Sequence, residues 1–305
     1  MALLTNQAEA EDVDAGAWLG AWLDWPAEAE RVPQPYHGVW RRTLLRNAAG
    51  YEDRTTRVFW LQTARVHVDL RVSADRTAFD DVSSLDAMPR DGLVELARQQ
   101  GFAGFTEVQP GTPEVCTWHR QIDFSPPAGT RDIGTMQFES PDILLESGAD
   151  APYHERWERE PASVGPTWAA RLPHEAVLAA GAVHGAAAEY GPDDRPMSFL
   201  ARAGRFFMFA RARTSRATAW LARHRGRTLA QVVGDPSVSL EQARALLDFE
   251  ISLAHVAASA GALPVIALST HPWREGGTLP FRLDADIEIA EPYRVSNSRS
   301  NHVDD

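Results

Sequence analysis

The stretch Val58-Phe-Trp-Leu-Gln-Thr-Ala-Arg-Val-His-Val-Asp-Leu-Arg-Val72 decides the fold class of this chain. In its second half apolar and polar residues alternate, which is typical of a β-strand with two unlike faces. One face carries Val66, Val68, Leu70 and Val72, and the other carries Arg65, His67, Asp69 and Arg71. The polar row either faces solvent or lines an interior, and alternation alone leaves both readings open.

A second alternating run extends from Cys116 to Phe124 and predicts another strand of the same kind. Its predicted apolar face carries Cys116, Trp118, Ile122 and Phe124, and its polar face carries Thr117, His119, Gln121 and Asp123. Each polar row can present an acid, a base and a hydrogen-bond donor to one space, because residues i and i+2 of a strand point the same way.

The distribution of such runs divides the chain into strand-rich halves. Short strands separated by turn signals at intervals of ~8–12 residues favour a sandwich or a barrel. We predict an appendage over 1–35 with a short helix that contains Trp18 and Trp22, a first β-domain over 36–157, a linker over 158–166, a second β-domain over 167–294 and a disordered tail over 295–305. Short helical insertions are expected over 93–100, after Ser215 and after Ser239, the last at a Ser-Leu-Glu-Gln capping-box pattern.

Composition excludes several classes of function. The chain has 305 residues, and its 30 basic residues are all arginine, so no Schiff-base or phosphate-loop lysine exists. A net charge of −12 argues against a nucleic-acid partner. The single cysteine, Cys116, cannot form an internal disulfide framework or a zinc–cysteine cluster and fits a reducing compartment. No signal peptide or membrane span is evident, and we expect a cytoplasmic protein.

Motifs for cofactor and metal sites are not found. The sequence lacks G-x-G-x-x-G, HExxH, DxDxDG and G-x-S-x-G, and its 10 histidines show no i, i+4 pairs. We therefore expect no metal and no cofactor. One loop remains of interest, because Trp273, Arg274 and Glu275 follow a predicted strand, where ligand-contacting residues often lie. The same three residues could equally form a surface turn.

A resemblance appears when the motifs are taken in order. Gly38-Val-Trp-Arg-Arg, Phe59-Trp-Leu-Gln-Thr, Trp118-His-Arg-Gln-Ile-Asp-Phe-Ser-Pro-Pro127 and Ser269-Thr-His-Pro-Trp-Arg-Glu-Gly276 resemble the fungal kinase-interacting proteins of the HRI type and their uncharacterised bacterial relatives. The resemblance implies a mainly β fold of two consecutive lipocalin-like, calycin-type antiparallel β-barrels, and it implies no established activity. Gln62, Asp69, Arg71, Trp118, Arg120 and Asp123 fall in its most similar parts, which raises the weight of a structured polar pocket or a buried ion-pair network against a solvent-facing row.

Three hypotheses follow. The first is a small-ligand-binding protein whose candidate binding residues are Trp60, Gln62, Asp69, Arg71, Trp118, Trp273, Arg274 and Glu275. The second is a cofactor-independent acid–base enzyme, an isomerase, cyclase or hydratase, that uses His119, Asp123 or His67. The third is an interaction module that forms a homodimer through the helix with Trp18 and Trp22. Heme ligation by His271 or His302 is a weaker variant of the first.

Overall fold

A computed structural model describes residues 31–172, 174, 177, 194–257 and 262–279 of the chain. The helix predicted around Trp18 and Trp22, the tail over 295–305, and His302 lie outside these residues. The described part is mainly β, as predicted, with four short α-helices.

The first sheet contains nine antiparallel strands in the order β2-β1-β3-β4-β5-β6-β7-β8-β9. Strand β9 also pairs with β1, so the eight strands other than β2 close into a barrel. Their bounds are β1 Gly38–Asn47, β2 Glu52–Asp53, β3 Arg57–Gln62, β4 Val66–Val72, β5 Gln100–Gln109, β6 Glu114–Asp123, β7 Ile133–Ser140, β8 Ile143–Gly148 and β9 Tyr153–Arg159.

The second sheet contains five antiparallel strands in the order β10-β11-β12-β13-β14. Their bounds are β10 Thr167–Leu172, β11 Ser198–Ala203, β12 Phe206–Arg211, β13 Glu250–His255 and β14 Val265–Ser269. Of the two barrels predicted, the first is confirmed as a closed barrel. The second half of the chain forms a further antiparallel sheet, and no pair joins β10 to β14 among the described residues.

The helices are α1 Arg90–Leu96, α2 Ser215–Leu221, α3 Leu229–Val233 and α4 Leu240–Leu247. Helix α4 begins after Ser239, whose side chain accepts a hydrogen bond from the Gln242 backbone N–H, as its sequence predicts. The helix expected over 93–100 is shorter and starts earlier. Gln100 already belongs to β5, because the chain must re-enter the barrel beside Arg71.

The alternating faces of β4 explain how the barrel and the second sheet are joined. Val66, Val68, Leu70 and Val72 point out of the barrel into an apolar core that they share with the second sheet and the helices. Met208, Ile251 and Leu253 supply the sheet side of this core. The two layers approach so closely that a Cβ atom added at Gly101 would lie 2.8 Å from Cδ1 of Ile251. The shared core explains why the apolar row of β4 is continuous.

A separate apolar cluster fills part of the barrel interior and includes Val32, Tyr36, Trp40, Cys116, Met136 and Leu144. Tyr36 belongs to a 3₁₀-turn, Gln34–Tyr36, just before β1 and donates a hydrogen bond to Glu114 (2.6 Å). This cluster closes the end of the barrel where β1 begins. The remaining interior, towards the end of β1, is polar.

Candidate functional site

A cavity of about 320 Å³ occupies the polar part of the barrel interior. A volume of this size lies at the lower end of the range for small-molecule sites. Its walls combine aromatic and charged side chains with two residues near the end of β1. The lining residues are Trp60, Phe102, Trp118, Tyr153 and Trp157; Arg42, Arg71, Arg120, Asp69, Asp132, Glu146 and Glu155; and Leu45 and Asn47.

Strand β4 supplies two of the charged groups, and its polar row therefore faces the cavity. Asp69 is buried and accepts bonds from its neighbour Arg71, with Oδ1 2.7 Å from Nε and Oδ2 3.2 Å from Nη2. Burial alone lowers the pKa of Arg71, but the nearby carboxylates of Asp69 and Glu155 raise it above its ordinary value. The guanidinium therefore stays charged inside the barrel.

The aromatic wall is built from three tryptophans on different strands. Trp60 makes edge-to-face contacts with Trp118 and Trp157, each at 5.8 Å between ring centroids. All three indoles are largely buried. Aromatic side chains that pack edge to face hold one another in place, so this wall is a preformed apolar surface.

A second arginine, Arg120, lies over the Phe102 ring at 3.7 Å from the centroid. Its Nε and Nη2 donate to Asp132 Oδ2 at 3.0 and 2.7 Å, and its Nη1 donates to Asp123 Oδ2 at 3.0 Å. Arg120 and Asp132 are partly exposed, and the cavity opens beside them.

A third arginine is fully enclosed. Arg42 donates from Nη1 to Glu155 Oε1 (2.6 Å) and from Nη2 to Asp53 Oδ2 (2.8 Å), and all three side chains are buried. Two carboxylates thus balance one guanidinium in the wall.

Glu146 is the one lining carboxyl that no arginine pairs among the described residues, and it is 5% exposed. It accepts hydrogen bonds from Tyr153 Oη (2.7 Å) and Trp157 Nε1 (3.0 Å), both neutral donors. It also lies directly opposite Glu155 across the β8–β9 pair. Burial, followed by the charge of Glu155, raises the pKa of Glu146 to about 8. Glu146 is therefore largely protonated at neutral pH when the cavity holds no cation.

Gln62 and His67 lie deeper in the interior, outside the cavity lining. The Gln62 amide donates to the carbonyls of Thr63 (2.8 Å) and Val66 (3.3 Å), so its oxygen accepts from Thr106 Oγ1 (2.7 Å). The Thr106 hydroxyl then accepts from His67 Nδ1 (3.0 Å). This chain places the proton of the neutral imidazole on Nδ1, and Nε2 is left without a hydrogen-bond partner. Burial lowers the pKa of His67 to about 3.

His119 lies on the outer surface of the barrel, half exposed, with Nε2 3.2 Å from Glu107 Oε2. The geometry required for the acid–base hypothesis, a histidine and a carboxylate that share the cavity, is not met by His67 or His119. Asp123 lies near the cavity only through its contact with Arg120.

The single apolar face predicted for Cys116 to Phe124 is wrong beyond Arg120, because β6 contains a bulge. Ala103 pairs with Ile122 and Gly104 pairs with Arg120, so Gln121 is an extra residue. The extra residue reverses the facing of everything after it. Cys116 and Trp118 lie in the barrel cluster, whereas Ile122 and Phe124 lie in the shared core.

The loop candidates Trp273, Arg274 and Glu275 lie against the second sheet, away from the barrel cavity. Trp273 stacks on His271 with ring centroids 4.7 Å apart, and Arg274 Nε is 3.3 Å from Glu250 Oε1. Glu275 accepts from Arg76 Nη2 (2.6 Å), which ties the loop to the chain that follows β4. Arg274 and Glu275 therefore pair with Glu250 and Arg76 rather than with each other, and these pairs hold the loop against the second sheet.

Sequence reasoning missed Arg42, Glu146, Tyr153, Glu155 and Trp157. A signal was present in β9, where Tyr153, Glu155 and Trp157 alternate with Arg156 and Glu158. Both rows of that strand contain charged residues, however, so hydropathy does not show which row faces inward.

Within the described ranges, no group of three or more His, Cys, Asp or Glu side chains could hold a metal ion. No helix in the described part of the chain is long and apolar enough to span a membrane.

Comparison with known proteins assigns no family. No model of a known protein family matches the chain, and no curated protein matches it. Among solved structures, the crystal structure of the uncharacterised protein YLR301w from Saccharomyces cerevisiae is similar, with 10% identity and a TM-score of 0.45 over 76% of this chain and 84% of that chain. The resemblance to HRI-type proteins therefore stays a prediction.

Proposed function

We propose that this protein binds a small molecule in the barrel cavity, in the manner of a lipocalin-type carrier or sensor. The observation that carries the proposal is a cavity of about 320 Å³ with three indoles on its walls and charged groups held in fixed orientation by ion pairs. An interior intended only for stability would be filled by side chains. Apolar walls with a few placed polar groups are typical of ligand sites.

Thermal-shift screening of a metabolite library, followed by calorimetric titration of the hits, tests the proposal. Trp118→Phe, at the cavity wall, should weaken a hit about tenfold or more, since it removes part of the binding surface. Trp220→Phe is the matched control, because Trp220 lies on α2 against His224 and does not line the cavity. Equal affinity in both variants, or the absence of any hit, would overturn the proposal.

An acid–base enzyme is the second candidate, and one observation favours it in a form different from the one expected. The cavity contains Glu146, whose pKa of about 8 suits proton transfer near neutral pH, beside the Tyr153 hydroxyl. This pair replaces His119 and Asp123 as the candidate acid–base group. Chemical conversion of a bound hit, abolished by Glu146→Gln, would distinguish an enzyme from a carrier.

A further inference from the structure

We infer that the preferred ligand of the barrel cavity is a small organic cation, an amine attached to an aromatic or aliphatic group, with Glu146 as its counter-ion. The inference rests on the proposed function and names the chemical class of its ligand. It is argued from the pairing of charges in the wall, from the burial of Glu146 and from the three indoles.

The arginines in the cavity are already paired. Arg42 uses both terminal nitrogens on Glu155 and Asp53, Arg120 uses all three nitrogens on Asp132 and Asp123, and Arg71 uses two nitrogens on Asp69. Nη1 of Arg71 is the one terminal nitrogen of the three guanidinium groups without a carboxylate contact among the described residues, so an anionic ligand would have to share Arg71 with Asp69 or displace a carboxylate from one of these pairs. The wall is therefore poorly suited to an anion despite its three guanidinium groups.

The carboxylates, in contrast, are in excess. Six carboxyl groups surround these three guanidinium groups: Asp53, Asp69, Asp123, Asp132, Glu146 and Glu155. Among the described residues, five of the six form an ion pair with one of the arginines, and Glu146 does not. A buried carboxylate without a cation is costly, so burial favours the protonated form of Glu146. A ligand ammonium would provide the missing positive charge and let Glu146 ionise.

The aromatic wall also favours a cationic ligand. Trp60, Trp118 and Trp157 border the cavity that Glu146 lines, and Trp157 donates its indole N–H to Glu146 at 3.0 Å. Indole faces attract cations because the ring face carries partial negative charge, and the attraction is stronger when water is excluded. The apolar part of the ligand would pack on the same rings.

Three probes of similar size and different charge test the inference: phenethylamine, 2-phenylethanol and 3-phenylpropionate. Each is titrated into the full-length protein by calorimetry at pH 7, once in phosphate and once in MOPS, because these buffers differ in ionisation enthalpy. We expect the amine to bind about tenfold or more tightly than the alcohol, since a charge-assisted hydrogen bond is stronger than a neutral one, and the propionate to bind most weakly. The amine titration alone should release protons, as Glu146 ionises.

Glu146→Gln provides the matched variant, since glutamine is neutral like the protonated acid: its amide oxygen can accept from Trp157 Nε1 while its NH2 group donates to the Tyr153 hydroxyl, which can also accept. We expect it to be at least as stable to heat as the unmodified protein at pH 7, to lose the proton release and to bind the amine about as weakly as the alcohol. Trp118→Phe should instead weaken amine and alcohol together.

The outcomes separate the two proposals. If 3-phenylpropionate or 2-phenylethanol binds as tightly as the amine, or if the amine releases no proton, the cation class is overturned and small-molecule binding stands. If none of the probes binds, the charge of the library hits decides: cationic hits support the inference, and neutral or anionic hits overturn it. If the library also gives no hit, the proposed function fails and the inference fails with it.

Discussion

At the scale of single residues, neighbouring arginines of β1 have opposite environments. Arg42 points into the barrel and pairs with two buried carboxylates, whereas Arg41 points outward and pairs with Glu158 and Glu160 at the surface. Removing one partner of a buried ion pair leaves an uncompensated charge, whereas a solvent-exposed pair contributes little. The same residue type therefore contributes different amounts to the free energy of unfolding at adjacent positions.

This contrast predicts the effect of two substitutions on the free energy of unfolding. Arg42→Ala should lower it by about 3–5 kcal/mol, because Glu155 and Asp53 lose their cation. Arg41→Ala should lower it by less than about 1 kcal/mol. Urea denaturation of both variants measures the difference, and equal losses would show that Arg42 is not buried as described.

The protonation of Glu146 predicts a pH dependence of stability. Its pKa is raised from 4.5 to about 8, so the folded state binds a proton that the unfolded state has lost. The corresponding stability is complete below pH 4.5 and is lost as the pH rises towards 8. Of the charged groups near it, Glu155 on β9 and Asp132 raise its pKa and Arg71 on β4 lowers it, and Glu155 has the strongest effect of the three.

Glu146→Gln should remove this dependence. We expect the variant to match the unmodified protein in free energy of unfolding at pH 5 and to exceed it at pH 9, by an amount on the order of a few kcal/mol. Denaturation curves at pH 5, 7 and 9 measure both proteins. Parallel pH profiles would contradict the burial of an unpaired carboxyl at this position.

At the scale of elements, β4 and β6 show how far alternation predicts a site. In β4 the period of two is unbroken, and the sequence correctly separated the row of Asp69 and Arg71 from the apolar row of Val68 and Leu70. The sequence could not decide which row was inside, because both rows are buried: one faces the cavity and the other faces the second sheet. In β6 a single extra residue, Gln121, reversed the facing, and no local signal marks such a bulge.

The bulge predicts that Gly104 is irreplaceable. A Cβ atom there would lie 2.0 Å from the His119 carbonyl oxygen of the paired strand. Gly104→Ala should therefore lower the free energy of unfolding by at least about 2 kcal/mol, through displacement of backbone. Glu107→Ala, on the outer face of the same strand, should change it by less than about 0.5 kcal/mol. Thermal unfolding of the two variants checks this, and a neutral Gly104→Ala would contradict the close β5–β6 register.

At the scale of the whole molecule, the barrel and the second sheet are joined by one core. Arg213 extends from the end of β12 to the carbonyls of Asp123 (2.8 Å) and Phe124 (2.7 Å), and the apolar row of β4 packs against the strands of the second sheet. The sequence predicted the strand-rich halves from local pattern. The pairing of β9 with β1 and this shared core are long-range contacts that local pattern does not encode.

The shared core predicts one cooperative unfolding transition. Met208 lies in that core and is fully buried, and Met208→Ala should cost about 2–5 kcal/mol. Tryptophan fluorescence, to which four buried indoles of the barrel contribute, and far-UV circular dichroism should shift together to lower denaturant concentration. Val265→Ala, at an exposed position of β14, should leave both signals in place. Separate transitions for the two signals would show that the layers unfold independently.

The central claim, that the barrel interior is the binding site, is tested most directly by the indole N–H signals in a two-dimensional proton–nitrogen spectrum. Individual Trp→Phe variants assign the signals of Trp60, Trp118 and Trp157 in the cavity and of Trp168, Trp220 and Trp273 outside it. On titration with phenethylamine or a library hit, the account predicts that the three cavity signals move with one saturation curve and that the other three stay in place. Movement of the outer signals while the cavity signals remain still would contradict it.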